Sequence, residues 1–408
     1  MPDPARQAPQ MRRKILFVAE AVTLAHVGRV IALAGALDPQ RYDVHVACAE
    51  GYDFCFTGTS FTRWTIRSMS SQQFLQALAQ GKPVYDQATL EHYVEDDLAL
   101  LEKVAPDLVV GDFRLSLSVS ARVAKLPYVS LINAYWSPYA APRYRVPDLP
   151  LTRFLPIALA DPLFRAARPL AFALHARPLN HVRRKYGLPA LGSDLRRIYT
   201  DADYTAYADI PDMFPAHAMP VEHSYIGAVT WSPPIAFPEW WNELPDDRPI
   251  VYVTLGSSGQ GRLLPLVLEA LGELPVTVVA ATAGNVELAS IPHNARVARF
   301  LPGEVAARRA ALVICNGGSP TCHQALVAGV PVLGIAGNLD QFLNMDGVLR
   351  TGAGALLRAD RLKVSDIQSA SSRLLGAPAA AAAKSTAHAL AAYCPRTRFG
   401  ALLASILN

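Results

Sequence analysis

One short segment constrains this chain more than any other. Residues 311–315 are apolar and read as a strand. Asn316-Gly317-Gly318-Ser319-Pro320 follows, then a helix-forming run over 321–328, then Gly329-Val330 and a second apolar strand over 331–335. A strand that turns on two glycines into a helix leaves the first N–H groups of that helix without carbonyl partners. The helix dipole places partial positive charge at the same point. Such an end suits an anion, above all a phosphate. Ser319 and Thr321 add hydroxyl donors. Taken alone, a Gly-Gly-Ser turn is also what an ordinary capped turn looks like, so its surroundings decide.

Those surroundings repeat one pattern. Residues 13–19, 43–49, 107–111 and 128–133 are short apolar runs that read as strands. A loop over 20–29 precedes a helical pattern over 30–37, and 115–125 reads as a helix. The second half does the same, with strands over 249–255, 276–281, 311–315 and 331–335 and helices over 263–271 and 321–328. Continuous apolar strands alternating with helices indicate parallel sheets covered on both faces. With 408 residues, two domains of about 200 residues are expected. The join falls near 226–248, where Pro233, Pro234, Pro238 and Pro245 cluster with Trp231, Trp240 and Trp241. The expected division is 1–227, a linker over 228–248, 249–390, and a C-terminal helix over 391–408 that packs back on the first domain.

Composition excludes several classes. A net charge of +4 over this length is too small for a dedicated nucleic-acid binder. The five cysteines, Cys48, Cys55, Cys315, Cys322 and Cys394, have no CxxC spacing, so free thiols in a reducing cytoplasm are expected. Residues 1–10 are polar and do not read as a secretory signal, and no apolar run reaches spanning length. No cluster of His, Cys or carboxylates has metal-ligand spacing, so no metal and no cofactor is expected. Asp201-Ala202-Asp203 reads as a polar turn, and the alanine run 379–383 as a helix surface. Residues 20–29 lack the GxGxxG of a nicotinamide dehydrogenase. Residues 150–186 interleave Phe154, Leu159, Leu163, Leu170 and Leu174 with Arg153, Arg165, Arg168 and Arg177, and Pro156, Pro162, Pro169 and Pro178 are expected to break them into short helices. This segment reads as a helical layer over the first sheet, as a wall for an apolar acceptor, or as a basic-apolar patch for a membrane surface.

The stretch NGGSPTCHQALVAGVPVLGIAGNLDQFLN, residues 316–344, resembles the donor-binding signature of GT-B glycosyltransferases of the macrolide and flavonoid type, which are UDP-glycosyltransferase-like. Gly317, Gly318, Thr321, Ala325, Leu326, Gly329, Val330, Pro331, Asp340, Gln341 and Asn344 fall at the family's spacings. Weaker likeness covers Pro106–Val110 with Asp112, then Leu179, Asn180, Arg183 and Arg184 with Gly187-Leu188-Pro189, and residues 252–257. The resemblance implies an α/β protein of GT-B architecture, two doubly wound Rossmann-like domains facing a cleft. It implies inverting, metal-independent transfer of a sugar from a UDP- or dTDP-sugar to a hydroxyl of an apolar small molecule or lipid, in the cytoplasm.

Site residues follow from the same resemblance. The backbone at Gly317–Gly318 with Ser257, Asn316, Ser319 and Thr321 would hold the diphosphate. Asp340 and Gln341, in a loop after a strand, would meet the sugar hydroxyls. Phe300 would stack on the base, unless it only packs in the core, and the Leu301 backbone would meet the base's polar edge. His26, in the first loop, would be the general base, oriented by Asp112, with Glu20 as a reserve. The sequence departs from the family at Asn316 (usually His), at Gln324 (usually a ribose-binding Glu), at Gly303 (often Gln), and around His26 at Ala25 and Arg29. The ribose departures leave UDP and dTDP both open. Rival readings are a catalytically silent nucleotide-sugar binder that supports a partner, and a nucleotide-sugar epimerase.

Overall fold

The computed structural model describes residues 12–256, 261–284 and 286–407. The first sheet contains β1 (Arg13–Ala19), β2 (Tyr42–Cys48), β3 (Thr62–Thr65), β4 (Leu108–Asp112), β5 (Tyr128–Ile132), β6 (Tyr204–Tyr207) and β7 (His223–Tyr225). The second contains β8 (Ile250–Thr254), β9 (Thr277–Ala281), β10 (Ala295–Ala298), β11 (Leu312–Cys315), β12 (Val332–Ala336) and β13 (Gly354–Arg358). The helices are α1 (Leu24–Ala34), α2 (Ser71–Gln80), α3 (Gln87–Val104), α4 (Leu117–Val123), α5 (Pro150–Phe154), α6 (Ile157–Lys185), α7 (Leu195–Tyr199), α8 (Leu264–Gly272), α9 (Gly303–Arg309), α10 (Ser319–Val327), α11 (Leu339–Arg350), α12 (Val364–Leu374), α13 (Ala377–Ala391) and α14 (Pro395–Leu407).

Every strand pairs in parallel with its neighbours. The orders are β3-β2-β1-β4-β5-β6-β7 and β10-β9-β8-β11-β12-β13. Both are doubly wound, because the chain builds outward from the central strand in one direction and then returns to build in the other. Such sheets bind ligands outside the carboxyl ends of the two strands where the order reverses. Here those strands are β1 and β4 in one sheet and β8 and β11 in the other. The continuous apolar runs are explained by burial on both faces: Leu108–Asp112 and Thr277–Ala281 are buried at every position.

The two sheets share one apolar core, which reaches from Tyr85 and Tyr199 through Phe214 to Cys315 and Met345. Phe214 enters from the N-terminal half and meets α11 at Gly347, where any Cβ would overlap its ring. Polar contacts add to this join. Asp148 N–H donates to Gly337 O at 2.6 Å, Arg358 Nη1 to Val146 O at 2.7 Å, and Thr152 Oγ1 to Asp360 Oδ2 at 2.8 Å. At the chain's end, α14 lies on the first sheet, with Phe399 and Leu403 buried and the Phe399 ring 6.0 Å from that of Phe17.

Four local expectations change. His26 is not in a loop, since α1 begins at Leu24, with Thr23 in extended conformation as its N-cap. The buried face of α1, Val27, Val30 and Ile31, extends the helical period upstream of residue 30. Asp340 and Gln341 likewise sit in the first turn of α11, not in a loop. Asn338 caps that turn by a reciprocal capping box with Gln341. Residues 157–185 form one helix through Pro162, Pro169 and Pro178. Pro162 and Pro169 are exposed, as are Ala158 and Arg165 four residues before each. The carbonyls these prolines free therefore face water, and the helix continues without losing buried hydrogen bonds. The alanine run is not only surface: Ala379 and Ala383 are buried. Asp201 and Asp203 are a polar turn as expected, with Asp201 paired to Arg122 and Arg183 and Asp203 accepting from Tyr128 N–H.

The fit of Phe214 to Gly347 gives a stability test. Gly347→Ala is expected to destabilise the protein by about 1–3 kcal/mol, the range for overpacking. The ring cannot yield freely, because Tyr135 meets it edge-on at 5.2 Å. Thermal unfolding measures the loss, and Phe214→Leu in the same chain is expected to restore part of it. An unchanged midpoint for Gly347→Ala would show that the contact is loose.

Candidate active site between the two sheets

His26 stands in the first turn of α1, just beyond the end of β1, and its side chain is 16% exposed. Its Nδ1 lies 2.7 Å from Oδ1 of Asp112, the fully buried last residue of β4. A carboxylate only accepts, so Nδ1 carries the proton. The neutral ring then presents its lone pair at Nε2. One turn further, Arg29 grips the same carboxylate with both arms, Nε to Oδ2 at 2.9 Å and Nη2 to Oδ1 at 2.7 Å. Burial works to raise the Asp112 pKa, but Arg29, and then His26, outweigh it and hold the carboxyl below its ordinary value. Burial likewise works to lower Arg29, and Asp112 reverses the sign. The pair is therefore ionised. Residue 29, a departure from the family pattern, holds the partner of the candidate base.

Phe113 follows Asp112 in a left-handed conformation, φ +58°, that costs a bulky side chain roughly 1–3 kcal/mol. Its ring stacks on His26, centroids 5.1 Å apart and planes within 11°. Phe74, Tyr85 and Tyr199 surround its other sides. Tyr199 meets Trp136 edge-on at 4.9 Å, and Trp136 Nε1 donates to Asp340 Oδ1 at 2.8 Å. An aromatic wall thus runs from His26 on one sheet to Asp340 on the other.

Glu20 is turned away from the cleft. It is fully buried. Its Oε1 accepts from Ser68 Oγ, Tyr93 OH and Met69 N–H, and its Oε2 accepts from Arg114 Nη1 at 2.8 Å. A carboxylate so enclosed fixes the loop after β1 and does not reach an acceptor.

On the other side, β11 ends at Cys315 and the chain turns at Gly317, φ +81°. A Cβ there would lie 2.8 Å from Met345 Cγ, so both the backbone angle and the space require glycine. Asn344 Nδ2 donates to Gly317 O at 2.8 Å, and Asn316 Oδ1 accepts from Gly318 N–H at 3.0 Å, fixing the turn. Gly318 is the N-cap of α10, and Ser319 and Thr321 lie in the first turn. Phe300 is 47% exposed and so is not a core residue; Leu301 beside it is buried. Gln341 turns its carbonyl oxygen to Gly337 N–H and Asn338 N–H, leaving its amide nitrogen as the end available to a ligand. Ser257 lies outside the described residues.

The two departures near the ribose position are one feature. A Cβ on Gly303 would lie 2.6 Å from Gln324 Oε1, and Gln324 Nε2 donates to the carbonyl of Trp231 in the linker at 2.7 Å. Gln324 therefore fills the space beside residue 303 and ties α10 to the linker. Trp231 in turn lies against Gly28 of α1, where a Cβ would sit 2.6 Å from the ring.

The two sides are bonded to each other. Arg29 Nη1 donates to Asn133 Oδ1 at 2.6 Å, and Ser319 Oγ donates to the same oxygen at 3.3 Å. Asn133 Nδ2 reaches Asp209 Oδ2 at 3.1 Å, and Asp209 Oδ1 meets His323 Nε2 of α10 at 3.1 Å. Asn133, Asp209, His323 and Trp136 were not singled out from the sequence. Asn133 directly follows β5 and Asp209 follows β6 by two residues, so the rule that ligand-facing residues cluster at strand carboxyl ends would have found both. Among the described residues, no group of three or more His, Cys, Asp or Glu is placed to hold a metal ion.

Two facing doubly wound sheets, an oriented imidazole on one and a glycine-turned helix N-terminus on the other, define a GT-B glycosyltransferase. Residues 265–403 match the family model described as "Erythromycin biosynthesis protein CIII-like, C-terminal domain". The chain is 56% identical over 362 residues to the "PGL/p-HBAD biosynthesis rhamnosyltransferase" of Mycobacterium bovis (strain BCG / Pasteur 1173P2), covering 89% of this chain and 80% of that protein. Among solved structures, "Spinosyn Forosaminyltransferase SpnP" superposes with a TM-score of 0.71 at 21% identity, covering 97% of this chain and 100% of that one. "Spinosyn Rhamnosyltransferase SpnG complexed with thymidine diphosphate" gives 0.66 at 20% identity, covering 97% and 100%. The chain belongs to the GT-B glycosyltransferases of the UDP-glycosyltransferase-like type, in the group that includes the PGL/p-HBAD biosynthesis rhamnosyltransferase, and it is a sugar-transferring enzyme.

The Arg29–Asp112 pair is expected to dominate local stability. Arg29→Met leaves a buried charge without its partner, and a loss of about 3–5 kcal/mol is expected. Adding Asp112→Asn removes the lone charge and is expected to recover most of it. Because the Asp112 pKa is depressed in the folded state, its contribution is complete above about pH 4, the ordinary Asp value, and is lost as pH falls through the depressed value. Denaturant titration of the parent and the three variants tests this, and additive losses would show that the pair does not act as a unit.

Proposed function

We propose that the chain is an inverting transferase that moves a deoxyhexose, rhamnose in the first instance, from a dTDP- or UDP-activated donor to a hydroxyl of an apolar, lipid-like acceptor, working at the inner face of a membrane. His26 Nε2 takes the proton of the acceptor hydroxyl while Asp112 stabilises the imidazolium that forms. The acceptor oxygen attacks the anomeric carbon from the face opposite the nucleotide. The bond from that carbon to the diphosphate breaks, and the nucleoside diphosphate leaves toward the N-terminus of α10, where Ser319, Thr321 and backbone N–H groups meet its charge. The observation that carries the reading is the His26–Asp112 pair at 2.7 Å, bonded through Arg29 and Asn133 to Ser319 of the donor helix. Rhamnose is taken from the name of the mycobacterial relative. The aromatic wall between His26 and Asp340 supports an apolar acceptor.

Two features favour the deoxyribose nucleotide. Gly303 offers no side chain, and Gln324 is turned to Trp231, so neither reaches a 2′-hydroxyl. Two structural neighbours also carry thymidine diphosphate. Competition between UDP and dTDP is expected to show a preference for UDP of less than about a hundredfold, on the order of 2.7 kcal/mol. A larger preference would mean that other residues hold the ribose.

Single-turnover rates at saturating donor test the chemistry. His26→Ala is expected to lower the rate by about 10²–10⁴-fold with little change in donor affinity. Asp112→Asn is expected to slow it too, and the double variant to fall far short of the product of the two effects. Asp340→Ala is expected to weaken the nucleotide sugar more than the free nucleoside diphosphate, by roughly 1.5–3 kcal/mol for a lost charged hydrogen bond. A His26→Ala enzyme of near-parental rate would remove the proposed base.

A further inference from the structure

The outer face of α6 is apolar and has no partner. Leu159, Leu163, Leu170 and Leu174 follow one another at four, seven and four residues, which places them within about 60° of one another around a helix of 3.6 residues per turn. All four are exposed, Leu170 by 65% and Leu159 by 61%, and Phe154 just before the helix is 84% exposed. Exposed leucines scattered singly need no explanation. A stripe of four on one helix face, extended by a nearly naked phenylalanine, does. The opposite face of the same helix is buried, through Ala160, Phe172, Ala176 and Leu179.

The charge beside this stripe is basic. Arg177 lies in line with the leucines and Arg153 adjoins Phe154; both are exposed, and among the described residues neither makes an ion pair. The lone acid within α6, Asp161, accepts from Val146 N–H. A second copy of the chain docking on this face would set arginine against arginine. An anionic lipid surface complements it, because acyl chains receive the leucines and phosphate groups meet the guanidinium groups.

The helix also connects this face to the site. Phe172, on its buried side, packs 6.4 Å from Trp136, and Trp136 donates to Asp340. The layer that would touch the bilayer is thus one helix thick above the aromatic wall.

We propose that α6 and Phe154 form a membrane-docking face for anionic phospholipid, which seats the cleft against the bilayer so that a lipid-like acceptor enters along the buried side of α6. Its use in catalysis rests on the acceptor proposed above, whereas the docking itself does not. The test is cosedimentation of the full chain with phosphatidylcholine vesicles, with and without phosphatidylglycerol. Binding is expected on the anionic vesicles and is expected to weaken with salt. Arg153→Gln and Arg177→Gln are each expected to reduce binding about fivefold. Leu163→Asp with Leu170→Asp is expected to reduce it more than about tenfold while leaving turnover of a dissolved, short-chain acceptor unchanged. Equal sedimentation of the parent and the double leucine variant overturns the proposal, as does no binding to anionic vesicles at low salt. A parent dimer that Leu170→Asp splits also overturns it, assigning the face to a second copy. If the acceptor is instead a soluble compound, vesicle binding persists and turnover is indifferent to vesicles, which separates failure of the acceptor reading from failure of the docking face.

Discussion

The buried carboxylate of Asp112 is the constraint around which the site is arranged. An unpaired charge at that depth would cost several kcal/mol. Arg29 neutralises it with two parallel hydrogen bonds, and Oδ1, which accepts one of them, also accepts from His26 and fixes its tautomer. The guanidinium then has one arm to spare, and that arm holds Asn133. Asn133 is the residue on which the donor helix rests through Ser319. A single ion pair therefore orients the candidate base and links it, through Asn133, to the first turn of α10.

The close approach of the halves depends on where side chains are missing. Gly28 admits Trp231, Gly303 admits Gln324, and Gly347 admits Phe214. The first and third pairs bring the linker or one half against the other at a place where a methyl group would collide, and the second leaves Gln324 room to reach the linker at Trp231. Shape rather than charge makes this join, and the core it produces is continuous from one sheet to the other. The hydrogen bonds of Arg358 and Thr152 set its register. Gln324 shows how a departure from a family pattern acquires a structural reason, since its amide bridges α10 to the linker in the space that Gly303 leaves open.

An aromatic surface runs from the imidazole of His26 on one sheet to Asp340 on the other. Phe113, Tyr199 and Trp136 touch in sequence from the imidazole to Asp340. Rings supply rigid apolar area at small entropic cost, so this surface holds its shape. The strained backbone at Phe113 is tolerated because packing on every side of the ring over-determines its position.

Periodicity and glycine placement in the sequence were enough for the fold class, the two parallel sheets and the glycine-turned helix α10, because those depend on local rules: apolar runs form buried strands, and Gly317 must sit where φ is positive. His26 and Asp112 were legible as strand-end residues, and the structure brings them together. The helix carrying His26 was not, because the pattern begins at Leu24 with a buried face that only packing reveals. Nor was the single helix α6, since three prolines predict breaks unless the freed carbonyls face water. Arg29, Asn133, Asp209 and His323 come from four separate elements, and only the folded chain brings them within hydrogen-bond reach. Chain identity determined which groups were available. Tertiary structure decided that Glu20 is enclosed by Arg114 while His26 stays open to the cleft, because burial and partner geometry, not residue type, select which titratable group can act.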